Sequence, residues 1–210
     1  MYSAKRERMV ESQLKPRGIR DKRVLQAMGK VERHLFVPGD LLDMAYEDTP
    51  LPIGLEQTIS QPYIVAFMTE AAKTKKQDKV LEIGTGCGYQ AAVLAELAGH
   101  VYTIEILQPL ADPAEERLKA MGYGNITVKC GDGYNGWPEY APFDAIIVSA
   151  APPEIPEKLI KQLKTGGRMI VPVGSFFQEL LLIVKTSAGY ETKSLLPVRF
   201  VPMIHSKEDL

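Results

Sequence analysis

The stretch Val80-Leu81-Glu82-Ile83-Gly84-Thr85-Gly86-Cys87-Gly88-Tyr89-Gln90-Ala91 constrains this chain more than any other. An apolar strand pattern runs into three glycines at alternate positions, and a helix pattern follows at once. Glycine permits a turn with positive φ and lets a ligand approach with no Cβ in the way. Such a turn also aims the free N–H groups of the following helix at whatever docks there. The layout is that of a nucleoside-cofactor site, with a ligand-free βα turn as the plainer alternative.

The register of the glycines separates possible cofactors. A dinucleotide fingerprint requires G-x-G-x-x-G/A directly after the strand. Counted from Gly84, the pattern fails at Tyr89. Counted from Gly86 it fits through Gly88 and Ala91, but it leaves Gly84-Thr85 as an insertion. E-x-G-x-G-x-G, with Glu82 inside the strand, describes the segment better. A carboxylate there opposes a pyrophosphate and suits a cationic cofactor. S-adenosylmethionine carries a sulfonium and an ammonium and has no phosphate.

The remaining composition excludes several classes. A chain of 210 residues supports one sizeable domain with a small extension. A net charge of −1 gives no electrostatic footprint for nucleic acid or an anionic membrane. No apolar run reaches the length of a bilayer span, and the N-terminus leads into no apolar signal segment. The closing Lys207-Glu208-Asp209-Leu210 holds the letters of an ER-retention tail in the wrong order and is set aside. Cys87 and Cys130 are the two cysteines, which suits a reducing, cytoplasmic setting. No metal-ligand spacing is present.

From Lys79 onward strand and helix patterns alternate. Strands are expected at Lys79–Ile83, His100–Glu105, Ile126–Cys130, Phe143–Ser149 and Arg168–Val173, then at about Glu179–Lys185 and Glu191–Pro197 around a turn at Ser187-Ala188-Gly189. Helices are expected at Tyr89–Leu97, from Pro113 to near Met121, and at Pro156–Leu163 with a stop at Gly166-Gly167. Asp112-Pro113-Ala114-Glu115 reads as a cap followed by a first-turn proline. Alternating βα units give an α/β fold, a mostly parallel twisted sheet with helices on both faces, closed by an antiparallel β-β pair. Residues 1–78 read as a helical and loop extension packed on a core at 79–210. Its helices fall at about Ala4–Leu14, Lys22–Val31 and Tyr63–Lys73, with a long irregular segment from Pro38 to Pro62.

Ligands of open α/β sheets sit beyond the carboxyl ends of the strands. Gly84–Gly88 follows the first strand there. Glu105 ends the second, 17 positions after Gly88, where an acid can accept hydrogen bonds from both ribose hydroxyls. Gly131-Asp132-Gly133 follows the third, where Asp132 can reach an adenine amino group. Alone, Glu105 or Asp132 is an ordinary loop charge; at successive strand ends they form a coherent nucleoside site. Gln57-Thr58-Ile59-Ser60-Gln61-Pro62-Tyr63 is the second concentration of polar groups. Ser60 either caps the following helix or presents its hydroxyl to a substrate carboxylate. His34, His100 and His205 have no motif around them, so a Ser/His/Asp hydrolase is excluded; His100 starts a strand and the others fall in loops.

These segments resemble one family over nearly the whole chain, the bacterial protein-L-isoaspartate O-methyltransferases. The resemblance rests on Tyr46-Glu47-Asp48, Pro50–Gly54, Gln57–Tyr63, Val80–Ala92, Gly131–Gly133, Gly136–Asp144, Ala150–Pro156, Pro172–Gly174 and Val198–Pro202. It implies a Rossmann-like methyltransferase fold. It also implies methyl transfer from S-adenosylmethionine, leaving S-adenosyl-L-homocysteine, to the α-carboxylate of L-isoaspartyl residues in damaged proteins and peptides. By motif, Gly84, Gly86 and Gly88 approach the methionine part of the cofactor, Glu105 the ribose, and Asp132 with Gly133 the adenine. Thr58, Ile59, Glu82, Thr85 and Ile106 complete the cofactor side. Ser60 matches the active-site serine, and Gln61, Arg199 and Pro202 fall on the substrate side. The implied protein is a cytoplasmic monomer acting on polypeptides, with no nucleic-acid or membrane partner.

The chain departs from the family pattern at Leu55-Glu56 and in the proline-interrupted Gln108–Pro113. A methyltransferase for another acceptor, or a silent S-adenosylmethionine-binding protein, stays open as an alternative. The chemistry itself needs no general base, because a carboxylate with a pKa of about 4 is already ionised at neutral pH.

Overall fold

The computed structural model describes residues 2–205, so the Lys207–Leu210 tail lies outside the described residues. The chain opens with α1 (Tyr2–Arg8), which runs into a π-helical turn over Met9–Leu14, and α2 (Lys22–Lys30). Asp21 caps α2 by accepting from the Arg23 N–H at 2.8 Å. His34, expected in a loop, lies in a short 3-10 helix (Arg33–Phe36), its Nδ1 2.8 Å from the Tyr46 hydroxyl.

The segment from Pro38 to Pro62 is more ordered than its prolines suggest. After a 3-10 turn at Gly39–Met44 it forms a hairpin of β1 (Leu51–Gly54) and β2 (Gln57–Ile59). The two linking residues, Leu55 and Glu56, have φ of 50° and 57°. That is the primed-turn geometry that tight hairpins favour, usually signalled by Asn-Gly. Leu-Glu carries no such signal, which is why the hairpin was hidden in the sequence. Helix α3 (Pro62–Ala72) follows and closes on Lys73 in the left-handed region.

The α/β core runs β3 (Lys79–Ile83), α4 (Tyr89–Ala95), β4 (His100–Glu105), α5 (Gln108–Ala120), β5 (Ile126–Cys130), β6 (Phe143–Val148), α6 (Glu157–Lys161), β7 (Leu163–Val173), β8 (Gln178–Thr186) and β9 (Gly189–Val198). The sheet order is β5-β4-β3-β6-β7-β8-β9, parallel from β5 through β7 and antiparallel at β7–β8 and β8–β9. The chain leaves β3 toward β4 and β5 on one side and returns to β6 on the other. A crevice therefore opens beyond the carboxyl ends of β3 and β6, the usual ligand position in such sheets.

Several boundaries differ from the sequence expectation. Helix α5 starts at Gln108, not at Pro113, and Pro113 lies inside it. Asp112 does not cap the helix; it accepts from Gln108 Nε2 one turn earlier. The upstream turn forms because Leu107 and Ala111 are buried beneath it, which offsets the N–H bond that Pro113 forfeits and the crowding of its ring against the preceding turn. Helix α6 is shorter than expected, ending at Lys161, and β7 begins at Leu163 through a register irregularity opposite Phe143 and Ala145.

Both faces of the central strands are buried, as a parallel sheet covered on two sides requires. On β3, Leu81 and Ile83 join a core with Ile146, Val148 and Met169. Val80 points to the other face, into a core shared with Leu94, Val65, Met28, Met9 and Leu14. The N-terminal helices thus pack into the same apolar cluster as the sheet. No helix among the described residues is long and apolar enough to cross a membrane.

Candidate active site

The glycine turn is pinned from below. The Gly84 N–H donates to the Ile104 carbonyl at 2.8 Å, and the Gly86 N–H donates to Glu105 Oε2 at 2.7 Å. Thr85 Oγ1 lies 2.7 Å from Thr103 Oγ1, which donates to Glu82 Oε2 at 2.6 Å. Gly86 has φ of 53°, and a Cβ there would come within 3.3 Å of Ile53 Cδ1 on the hairpin above. At Gly88, with φ of 91°, a Cβ would lie 3.1 Å from Leu118 Cδ1 of α5. The first glycine keeps the floor of the crevice low, and the second lets α4 and α5 approach.

A cleft rises above this turn. Gly84, Thr85, Gly86, Glu105, Ile106 and Gly133 form its floor and far wall, and Thr58, Ile59 and Ser60 form the near wall. Glu105 Oε1 accepts from the Leu107 N–H at 3.0 Å, so both of its oxygens hold backbone. Burial pushes its carboxyl above the usual range, and the backbone N–H groups pull against that shift. The glycine floor is a cradle that side chains would fill.

A second cleft adjoins the first. Thr58, Ser60, Ser149 and Val201 line both. Arg17, Gln61, Arg199 and Phe200 line only the second, among the residues named so far. Ser60 does not cap α3: the cap residue is Gln61, with no side-chain capping bond. Asp48 takes that role, accepting from the Tyr63 N–H at 3.0 Å and from Gln61 Nε2 at 2.7 Å. Arg17 pairs with the same carboxylate and lies 3.5 Å above the Tyr63 ring. The serine loop is therefore held by its neighbours, and the hydroxyl is left for the junction of the two clefts.

Three residues expected on the cofactor side are not on the wall of the first cleft. Glu82 lies wholly buried beneath the turn, and its Oε1 has no partner among the described residues. Burial raises its pKa to about 8. Gly88 serves helix packing. Asp132 turns back to accept from the Tyr134 N–H at 2.8 Å and meets His205 Nδ1 at 3.2 Å. Pro202, expected on the substrate side, lines the first cleft and bridges to Ala151. Glu56, a departure from the family pattern, is exposed on the hairpin tip and lines neither cleft.

Sequence reasoning missed Asp48, Arg17 and Ser149 as site residues. Asp48 had a local signal in the matched Tyr46-Glu47-Asp48 segment. Arg17 and Ser149 had none, since tertiary folding alone brings them to Ser60. Among the described residues, no cluster of three His, Cys, Asp or Glu side chains could hold a metal ion.

A glycine cradle at the switch point of this sheet, with an acid at the end of the adjacent strand, defines the class of Rossmann-like, S-adenosylmethionine-dependent methyltransferases. The profile of the protein-L-isoaspartate(D-aspartate) O-methyltransferase family matches residues 4–208, and the chain belongs to that family. A protein-L-isoaspartate O-methyltransferase of Synechococcus sp. (strain JA-2-3B'a(2-13)) is 59% identical over 97% of this chain and 86% of its own length. A solved protein-L-isoaspartate O-methyltransferase superposes with a TM-score of 0.86 at 33% identity; the match covers 94% of this chain and 65% of that one. A Plasmodium falciparum protein assigned the same activity, solved with S-adenosyl-L-homocysteine, gives a TM-score of 0.81 at 25% identity, covering 98% of this chain and 99% of that one.

Proposed function

We propose that this protein methylates the α-carboxylate of L-isoaspartyl residues in damaged proteins and peptides, using S-adenosylmethionine. The observation that carries the reading is the junction of two clefts at Ser60, one floored by the glycine cradle and the other open to a polypeptide. When bound, S-adenosylmethionine supplies an electrophilic methyl group on a sulfonium.

The chain's own residues then have to bind and orient. Gly84 and Gly86 keep the floor open, and Glu105 offers its remaining lone pairs toward a ribose. Ser60 donates its hydroxyl to the acceptor carboxylate and fixes its approach. Arg199, exposed on the wall of the second cleft, suits an anionic acceptor. The acceptor is already ionised, so no base is required, and positioning supplies most of the acceleration. Anion and sulfonium cancel as they react, so a water-poor site does not oppose the step. The ester leaves the enzyme and closes to a succinimide unaided, with loss of methanol, and hydrolysis reopens the ring in part as normal aspartate. The reading takes the protein as a cytoplasmic monomer without nucleic-acid or membrane partners; a net charge of −1 and a content of only two cysteines support it.

Labelled S-adenosylmethionine and matched aspartyl and isoaspartyl peptides test the activity. Base-labile label is expected on the isoaspartyl peptide alone. Label on neither peptide despite cofactor binding would favour a silent binding protein. Ser60→Ala is expected to lower kcat/KM for the peptide by roughly tenfold to a hundredfold, the worth of one hydrogen bond to a charged group. KM for the cofactor should change little, and wild-type turnover in this variant would remove Ser60 from the mechanism.

A further inference from the structure

Phe176 and Phe177 are 97% and 93% exposed at the turn between β7 and β8. Two adjacent phenylalanines with almost no contact to their own fold are costly in water, and exposed apolar clusters of this kind mark interaction sites. The turn is not a loose end. The Gly174 N–H donates to the Pro152 carbonyl at 3.0 Å on one leg. On the other leg, Gln178 Nε2 donates to the Phe200 carbonyl at 3.1 Å, and its Oε1 accepts from the Phe200 N–H at 2.6 Å. Gly174 has φ of 124°, and a Cβ there would lie 2.0 Å from the Phe177 carbonyl oxygen. The legs of the turn are thus tied to the strand ends that frame the sheet's carboxyl edge.

That edge carries the second cleft. Phe200, which grips Gln178, lines the cleft together with Arg199 and Ser60. Phe177 is thus joined through its neighbour Gln178 to Phe200 on the cleft wall. We propose that Phe176 and Phe177 form an apolar docking point for the extended polypeptide that flanks the isoaspartyl residue. They grip apolar side chains exposed by unfolding or damage while the isoaspartyl carboxylate reaches Ser60. The tip, Ser175-Phe176-Phe177, is uncharged, so it selects by apolar contact and leaves the carboxylate to the cleft. This inference rests on the isoaspartyl reading given above.

The test uses the full chain and the double variant Phe176→Ser/Phe177→Ser, with two isoaspartyl peptides of equal length, one flanked by leucines and one by serines. In the variant, KM for the leucine-flanked peptide is expected to rise about tenfold, corresponding to about 1.4 kcal/mol. KM for the serine-flanked peptide, KM for the cofactor, kcat and Tm should stay within experimental error. An unchanged KM for the leucine-flanked peptide, or equal rises for both peptides, would overturn the proposal. A concentration-dependent dimer seen by sedimentation in the parent and lost in the variant would overturn it in favour of a second copy as the occupant. If the parent methylates neither isoaspartyl peptide, the activity itself fails, a result distinct from all of these.

Discussion

Glu105→Ala is expected to weaken S-adenosylmethionine binding about a hundredfold or more. In the native site both carboxylate oxygens are engaged, with the Gly86 N–H at 2.7 Å and the Leu107 N–H at 3.0 Å. One of these bonds shapes the cofactor cradle, and the other ties Leu107 at the head of α5. Alanine leaves both donors without a partner. In the empty cleft water can satisfy them, but a bound nucleoside expels that water. Each buried, unpaired N–H then costs about 1–3 kcal/mol, and the ribose acceptor is lost as well. Glu105→Gln is expected to recover only part of the loss, because an amide accepts with one oxygen where the carboxylate accepts with two. Titration calorimetry with S-adenosyl-L-homocysteine measures the effect without turnover. Near-native affinity in Glu105→Ala would separate this residue from the cofactor.

The second large effect concerns pH and stability. Glu82 is wholly buried beneath the glycine turn, and burial lifts its pKa from an ordinary 4.5 to about 8, against the pull of the Thr103 hydroxyl bond. Between those values the folded protein holds a proton that the unfolded chain has released. The contribution of Glu82 is therefore fully present below pH 4.5 and is lost as pH rises toward and through about 8. The loss runs at about 1.4 kcal/mol per pH unit inside the window. The cofactor-free protein is expected to lose Tm steadily across this range. Glu82→Gln keeps the shape, can still accept from Thr103 and cannot ionise, so its Tm should fall less over the same range. Parallel Tm curves for the two proteins between pH 5 and pH 8 would show that Glu82 does not titrate there.

Glu82 also illustrates how far the sequence reaches. Its place in an apolar strand before three glycines is a local pattern, and it points to the cleft at the carboxyl end of β3. The direction of its side chain is not local. Pleating sends Glu82 to the face it shares with Val80, across from Thr103 on β4, while Ile83 lines the cleft. The same division holds at Asp132, whose carboxylate is drawn into its own turn and toward His205.

The core strands β3, β4 and β5 are legible to the residue, because apolar and β-branched residues recur over five or six positions in each. The start of α5 was misread, because the local cap signal at Asp112-Pro113 was overridden by the burial of Leu107 and Ala111. The β1–β2 hairpin was not legible, because its turn uses Leu55 and Glu56 at positive φ, where no residue preference announces it. By itself, then, the sequence determined the sheet, the cofactor cradle and the acid at Glu105, since each depends on backbone conformation and periodicity over a few residues. Only the tertiary structure decided that Ser60 meets Ser149 and Val201 where two clefts join, that Asp48 and Arg17 hold the serine loop, and that Phe176 and Phe177 stand near the second cleft. Those relations come from packing between segments far apart in the chain, and no local pattern encodes them.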